Sequence, residues 1–367
     1  MGTNIRLEDL DMEKKNIGKT LGKFFKKYAV PIIFLVLCLV GYVFAEIPFI
    51  FLLNEIIIRL ARNSFLVLSL IIPVIAGMGL NFGIVLGAMA GQVALIIIAN
   101  LPIEGIWAFL LAIGISTPIA IVFGYLTGIV LNKAIGKEMI TSMILGYFAN
   151  GLYQLAFLVL AGPIIPIINE SLLLSTGIGI KNTIDLSNIR YALDDVIKIK
   201  PYPGLSIPIF TMVMVGILCI LLTFFFRTKL GQDMRATGQN LHIAKVSGIN
   251  VGRTRIIATI ISTILAAWGQ LIFLQNIGTL NTYGSHEQVG LFAVASLLVG
   301  GASVTKATFS QALLGTFLFH MLFIISPFAG QNLMNNSQIG EFFRVFVAYG
   351  VIGIALALHA WQRKGEL

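Results

Sequence analysis

Charge is what this chain of 367 residues has least of: Asp, Glu, Lys and Arg together make up 11% of it, against about 25% in an average soluble protein. So few charges cannot coat a soluble surface, and 57% of the residues are hydrophobic. A soluble enzyme and a nucleic-acid-binding protein are excluded on that ground. The ~10-residue alternating segments of a membrane β-barrel are missing as well. Cysteine is scarce. Cys38 and Cys219 both lie in apolar runs, form neither a metal spacing nor a disulfide framework, and read as small packing residues.

The motifs of catalysis are missing too. There is no phosphate-binding G-x-x-x-x-G-K-[ST] and no zinc-binding H-E-x-x-H. Gly77-Met78-Gly79 resembles a dinucleotide fingerprint only superficially, since it lies in an apolar run without a βαβ context. The four histidines, His242, His286, His320 and His359, are scattered. No catalytic residue and no metal site is assigned.

What the chain has is long apolar runs, at 28–48, 64–80, 82–100, 105–131, 139–161, 205–226, 255–276, 287–303, 307–327 and 342–361. About 20 apolar residues cross the hydrocarbon of a bilayer. The pattern predicts an all-α polytopic integral membrane protein of about ten transmembrane helices, with residues 49–62 interfacial. Residues 1–27 form a basic segment with seven Lys and Arg. Within it, 14–27 reads either as a short amphipathic helix on the anionic inner leaflet or as a solvated tail. No small-x-small cleavage site follows the first apolar run, which reads as an uncleaved span. Residues 28–361 form the membrane domain and 362–367 a short tail.

Orientation follows from the distribution of Lys and Arg. With the N-terminus inside, eighteen of the 25 fall in inner segments. Six lie outside (Arg59, Arg62, Lys181, Arg190, Lys198 and Lys200), and Arg344 sits at an outer helix end. This bias predicts that both termini are cytoplasmic, and it accounts for the net charge of +9 without a nucleic-acid partner. Two loops are long: an outer one at about 162–204, rich in proline, and a basic inner one at about 227–255.

The predicted spans are nearly free of ionisable side chains, whereas an ion-coupled carrier usually keeps them at the membrane midplane. The pathway therefore suits a neutral or zwitterionic polar solute, or one driven by energy supplied elsewhere. Asn81 and Phe82 mark a break between two apolar runs, where an interrupted helix exposes backbone polar groups to a cavity. Tyr147, Asn150, Tyr153 and Gln154 share one helix face. Gln92, Trp268 and Gln270 are polar in the same way. The pathway candidates are Asn81, Phe82, Gln92, Tyr147, Asn150 and Gln154, and interhelical hydrogen bonding is the alternative role for each. Gly79, Gly83, Gly87 and Gly91 recur every four residues, Gly124 and Gly128 repeat the spacing, and Gly87, Gly91, Gly124 and Gly128 predict close helix packing.

The inner loop carries a short helical stretch at 240–246, with Gly248 placed as its C-cap. Polar Asn240, His242 and Lys245 alternate with Leu241, Ile243, Ala244 and Val246. That pattern suits docking to a cytosolic partner, or a solvated loop. The segment Gly231-Gln232-Asp233-Met234-Arg235-Ala236-Thr237-Gly238-Gln239-Asn240, followed by Ala244 and Ser247-Gly248-Ile249, resembles the cytoplasmic coupling loop of bacterial ABC importer permeases. The subgroup it is similar to comprises the ribose and simple-sugar, nucleoside and branched-chain amino-acid permeases. The stretches at 79–92 and 293–301 are similar to that subgroup too.

The resemblance implies a permease subunit in the bacterial plasma membrane, taking a monosaccharide or nucleoside, with branched-chain amino acids as the alternative. It implies two cytosolic ATPase subunits that hold the ATP and Mg, so that this chain carries no cofactor. It also implies a second permease subunit, the same or related, and an extracytoplasmic solute-binding protein or lipoprotein, all within membrane lipid. The coupling residues it implies are Gly231, Asp233, Arg235, Gly238, Asn240, Ala244, Lys245 and Gly248. Two other classes compete with this one. A self-sufficient channel is compatible with neutral spans. A membrane enzyme needs paired carboxylates at an interface, and only Asp194-Asp195 pair so, in what reads as a solvated outer turn.

Overall fold

The computed structural model describes residues 28–364. The basic segment 1–27, including the stretch 14–27, and residues 365–367 lie outside the described residues. Each apolar run becomes a helix. In chain order these are α1 (Tyr28–Ala45), α2 (Phe49–Ser69) with its short continuation α3 (Ile71–Ile75), α4 (Ile84–Ala99), α5 (Gly105–Lys133), α6 (Glu138–Leu155) and α7 (Ile209–Phe225). Two shorter helices follow, α8 (Lys229–Gln239) and α9 (Leu241–Val246), then α10 (Val251–Ile277), α11 (Val289–Val299), α12 (Phe309–Met334) and α13 (Ser337–Lys364).

Among the described residues, six helices are long and apolar enough to cross a bilayer, α2 and α3 counting as one. The number is seven if α7 and α8, bent by 78° at their junction, form one span. The expectation of about ten full spans is therefore met only in part. α4 and α11 are apolar but have 16 and 11 residues, and most of each is buried in protein. A helix that is hydrophobic all round marks burial, and burial does not require lipid.

Residues 49–62 are not interfacial. They form the first half of α2, whose charges find partners within the bundle. Arg59 meets Glu55 one turn earlier at 3.3 Å, and Arg62 donates to Asn276 Oδ1 at 3.0 Å. Arg59 and Arg62 thus leave the outer loops, where Lys181, Arg190, Lys198 and Lys200 remain, and the charge bias persists. Arg255 likewise leaves the inner loop for the first turns of α10 and is fully buried.

α10 is the central mast. α4 presents Gly87 and Gly91 to it, and α5 presents Gly124 and Gly128. A Cβ on Gly91 would stand 2.8 Å from the Ala267 carbonyl oxygen, and one on Gly124 would stand 2.7 Å from Ile260 Cα. On Gly87 it would collide with the Thr263 carbonyl. Bare backbones therefore meet directly, as small-residue stripes permit. Hydrogen bonds pin the mast to other helices: Ser262 Oγ donates to the Ser69 carbonyl at 2.8 Å, and Trp268 Nε1 to Thr117 Oγ1 at 3.0 Å.

The outer loop is folded against the bundle. It holds β1 (Thr183–Asp185) and a hairpin of β2 (Lys198–Tyr202) and β3 (Leu205–Pro208). β1 pairs antiparallel with β4 (Thr279–Asn281), just after α10, placing buried Ile184 opposite buried Leu280. Asp194 is not in a solvated turn. It is buried and accepts hydrogen bonds from Thr211 Oγ1 at 2.5 Å and Asn276 Nδ2 at 2.6 Å, while exposed Asp195 pairs with Lys198. This carboxylate latches the loop to α7 and α10, so the paired-carboxylate enzyme reading has no support.

The close approach of α4 to α10 is testable. Gly87→Ala is expected to lower stability by about 1–3 kcal/mol through overpacking. Gly114→Ala, where nothing lies within 4 Å of the new Cβ, leaves it unchanged or slightly raised. Thermal melts of the purified variants in detergent compare the two.

Candidate functional site

The face read from the sequence as the inner one is built on α8 and α9. Thr228 caps α8, its hydroxyl accepting from the Gly231 N–H at 3.4 Å. Gly231 sits inside the sharp α7–α8 bend, where any Cβ would strike the backbone of Phe225 and Phe226. Gly231, Met234 and Thr237 are buried, three residues apart, and turn one face of α8 to the bundle. Asp233 is half-buried beside them, and the Arg235 guanidinium lies over the Phe226 ring, 5.4 Å from its centroid. Asn240 caps α9 by accepting from the N–H groups of His242 and Ile243 at 3.0 and 3.1 Å. Ala244 is buried beneath α9, Lys245 is exposed, and Gly248 ends the turn at φ 84°, the left-handed conformation that suits glycine. α9 leaves Ile243 and Val246 62% and 76% exposed, an apolar pair facing away from the bundle.

The C-terminal end of α8 rests on the turn between α3 and α4. Gly77, at φ 75°, would place a Cβ 2.8 Å from Gly238 Cα, so these backbones touch with no side chain between them. Asn81 lies in this turn. It is buried, and its Oδ1 accepts from the Gly83 N–H at 2.8 Å, which shapes the entry to α4. It does not line the cleft described next. The break read from the sequence at 77–83 is real, and Gly77, Met78 and Gly79 line a cavity there, with Val304 and Met139 on its other side.

A cleft of about 290 Å³ lies between α6, the start of α4, α11 and α13, lined by Phe82, Tyr147, Asn150, Glu287 and Tyr349 among others. Tyr147 is exposed on it. Behind its wall runs a chain of hydrogen bonds. Asn150 Nδ2 donates to Glu287 Oε1 at 2.9 Å, so its Oδ1 faces His286 Nε2 at 2.8 Å. Gln154 Nε2 reaches the same Oδ1 at 3.5 Å. His286 Nδ1 meets Gln92 Oε1 at 2.5 Å. Both ring nitrogens thus face amide oxygens, and a neutral imidazole donates its one proton to one of them. The Tyr153 ring packs on the imidazole, centroids 4.9 Å apart.

Of the sequence-predicted pathway residues, Phe82, Tyr147 and Asn150 line one cleft, with Gln154 beside Asn150. Gln92 stands one shell behind, and Asn81 lies elsewhere. His286, Glu287 and Tyr349 were missed. His286 read as an isolated histidine, because 136 residues separate it from Asn150 and 194 from Gln92. The sequence also hid an ion pair at the α8–α9 end of the bundle: Arg255 Nη2 meets Glu138 Oε1 at 2.5 Å, with Arg255 fully enclosed. Both residues read there as loop or helix-end charges. Glu138 lines a second cavity beside Gly77, Gly79 and Gly238. Among the described residues no group of His, Cys, Asp and Glu is arranged to hold a metal.

Comparison with known proteins places these features in a family. Residues 52–356 match the family described as the branched-chain amino acid transport system, permease component. The xylose transport system permease protein of Haemophilus influenzae is 26% identical over 183 residues, 48% of this chain and 46% of that protein. The fructose import permease protein of Bifidobacterium longum is 27% identical over 245 residues, 65% of this chain and 64% of that protein. The autoinducer 2 import system permease protein of Klebsiella pneumoniae is 38% identical over 93 residues, 25% of this chain and 26% of that protein. The chain thus spans between 26% and 64% of the length of these curated relatives. No solved structure matches it.

Two outcomes test the site. His286 lies in the turn outside α10 and α11, and burial lowers its pKa from 6.5 to about 4. The unfolded chain takes up a proton below about pH 6.5 that the folded chain refuses. Stability is therefore full above that pH, falls as the pH drops towards 4, and levels off below. His286→Gln is expected to flatten this part of a melting-temperature profile. Arg255→Met leaves Glu138 enclosed without its counter-charge and is expected to cost about 3–5 kcal/mol. Adding Glu138→Leu is expected to restore most of the loss in denaturant titrations.

Proposed function

The chain belongs to the branched-chain amino acid transport system permease family, and on that premise we propose that it forms the translocation pathway of an ATP-driven importer for a small uncharged polar solute, a monosaccharide or a nucleoside. It is an ABC importer permease of the simple-sugar type and a multi-pass protein of the bacterial inner membrane. The finer reading has ten membrane-penetrating helices and both ends in the cytoplasm, with 28–361 as the permease domain. The names of the relatives, which concern xylose, fructose and autoinducer 2, support the sugar side of the solute class.

One observation carries the reading: the short α8–α9 element, with its exposed Ile243 and Val246, seated backbone to backbone on the turn that leads into α4. A partner that pulls on α9 moves the membrane core with it. That partner is a pair of cytosolic ATPase subunits holding ATP and Mg, which fits a chain without a nucleotide-binding motif. A second permease subunit completes the pathway, and a solute-binding protein or lipoprotein delivers solute to the outer face. Gly231, Asp233, Arg235, Gly238, Asn240, Ala244, Lys245 and Gly248 carry the coupling. The solute passes Phe82, Tyr147 and Asn150, with Gln92 and Gln154 supporting the wall; Asn81 shapes the turn between α3 and α4. Energy comes from the ATPase, so the pathway needs no ion-coupling charge of its own.

Gly248→Val forces a β-branched residue into a left-handed turn. We expect it to cut ATP-driven uptake at least tenfold while leaving membrane insertion intact. Ile243→Asp with Val246→Asp is expected to abolish co-purification of the ATPase. Normal uptake and normal co-purification in these variants would overturn the coupling assignment.

A further inference from the structure

Behind α11 lies a cavity separate from the cleft, of about 250 Å³, walled by α2, α10, α11 and α12. It runs from the turn before α11, at Gly284, Ser285 and Gln288, to His320 inside the bundle. His320, one of its lining residues, stands near the middle of α12, eleven residues after Phe309 and fourteen before Met334. Two buried polar atoms of the lining residues, His320 Nδ1 and Ser296 Oγ, have no hydrogen-bond partner among the described residues. Serine and threonine inside these helices usually turn the hydroxyl back to their own helix. Thr316 does so, donating to the Ala312 carbonyl at 2.7 Å, and Ser64 does so to the Leu60 carbonyl. Ser296 does not. A buried polar atom without a partner is costly, and both of these belong to residues that line the cavity.

The rest of the lining defines that partner. Asn63 donates its amide to the Arg59 carbonyl, which leaves its oxygen as an acceptor, and Gln288 adds a second amide. Phe273 and Phe292 supply flat apolar walls. No Asp, Glu, Lys or Arg lines the cavity, so an ionised ligand would have no counter-charge there. The volume is several times the ~30 Å³ share of one water molecule and falls just below the roughly 300–1,000 Å³ of drug-sized sites. A single small ring fits that size. A hydroxyl both donates and accepts, so a ring bearing several of them satisfies Nδ1, Oγ and the amides together.

We propose that this cavity is a solute-binding site within a single subunit, and that it takes an uncharged hydroxylated ring, either a free monosaccharide or the sugar of a nucleoside. The assignment rests on the importer reading. Gln288 borders both this cavity and the cleft on the other side of α11. The first turn of α11 is therefore the partition that a solute crosses in passing between them.

Equilibrium binding of tritiated ribose, xylose and uridine to the full chain, assembled with its ATPase in lipid nanodiscs, tests the site. At least one probe is expected to bind. Ser296→Phe, which fills the cavity, and Asn63→Leu, on the opposite wall and away from the cleft, are each expected to weaken that binding at least tenfold. Ser296→Ala is expected to weaken it by a smaller factor. Binding of a pentose without uridine assigns a free monosaccharide, and binding of uridine assigns a nucleoside. Binding unchanged in Ser296→Phe and Asn63→Leu, with the ATPase still attached, overturns the proposal, as does the absence of binding by all three probes. The importer reading is judged separately, by ATPase co-purification and ATP-driven uptake in the unmutated chain, and neither result alters the binding comparison.

Discussion

Everything placed in this structure depends on how closely α4 and α5 approach α10. Gly87, Gly91, Gly124 and Gly128 let three backbones lie together with no side chains to separate them, and in lipid such contact is a principal source of helix association. The functional parts hang from the two ends of the mast. At its start, Arg255 holds Glu138 of α6, and α9 feeds directly into it. At its outer end, Asn276 holds Arg62 and Asp194, and β4 receives β1. A change in the tilt of α10 therefore reaches both faces of the membrane.

The polar interior follows a second rule. In a bundle with few charges, several ionisable groups have a specified neighbour: Glu55 for Arg59, Glu138 for Arg255, Asn276 and Thr211 for Asp194. The His286 network extends the rule to neutral groups, linking α4, α6 and the turn before α11 through Gln92, Asn150 and Glu287. These contacts fix the shape of the cleft wall, leaving Tyr147 and Phe82 as its open surface.

Much of this was legible in the sequence because hydrophobic runs and small-residue spacing are local signals. Every apolar run became a helix, the α9 cap at Asn240 and the stop at Gly248 stand where capping chemistry puts them, and the glycine stripes pack as their spacing implies. What stayed hidden was long-range pairing. Glu55, Arg59 and Arg62 looked like an interfacial segment because charges interrupt hydropathy, yet in a helix they sit one turn apart and find partners. Asp194 looked solvated because its partners lie on α7 and α10. Asn81, a polar side chain in an apolar run, has two outlets, a cavity or its own turn; composition does not distinguish them, and its oxygen takes the turn.

The contact between Gly238 and Gly77 has a mechanical consequence. Interfaces built from side chains absorb small displacements, since rotamers shift and methyl groups slide before the main chain moves. Here that cushion is missing. Two peptide backbones bear on each other directly, so the joint is stiff, and a sub-ångström movement of α8 arrives at the threshold of α4 almost undiminished. A single methyl group added at either glycine acts as a wedge, holding the joint permanently ajar.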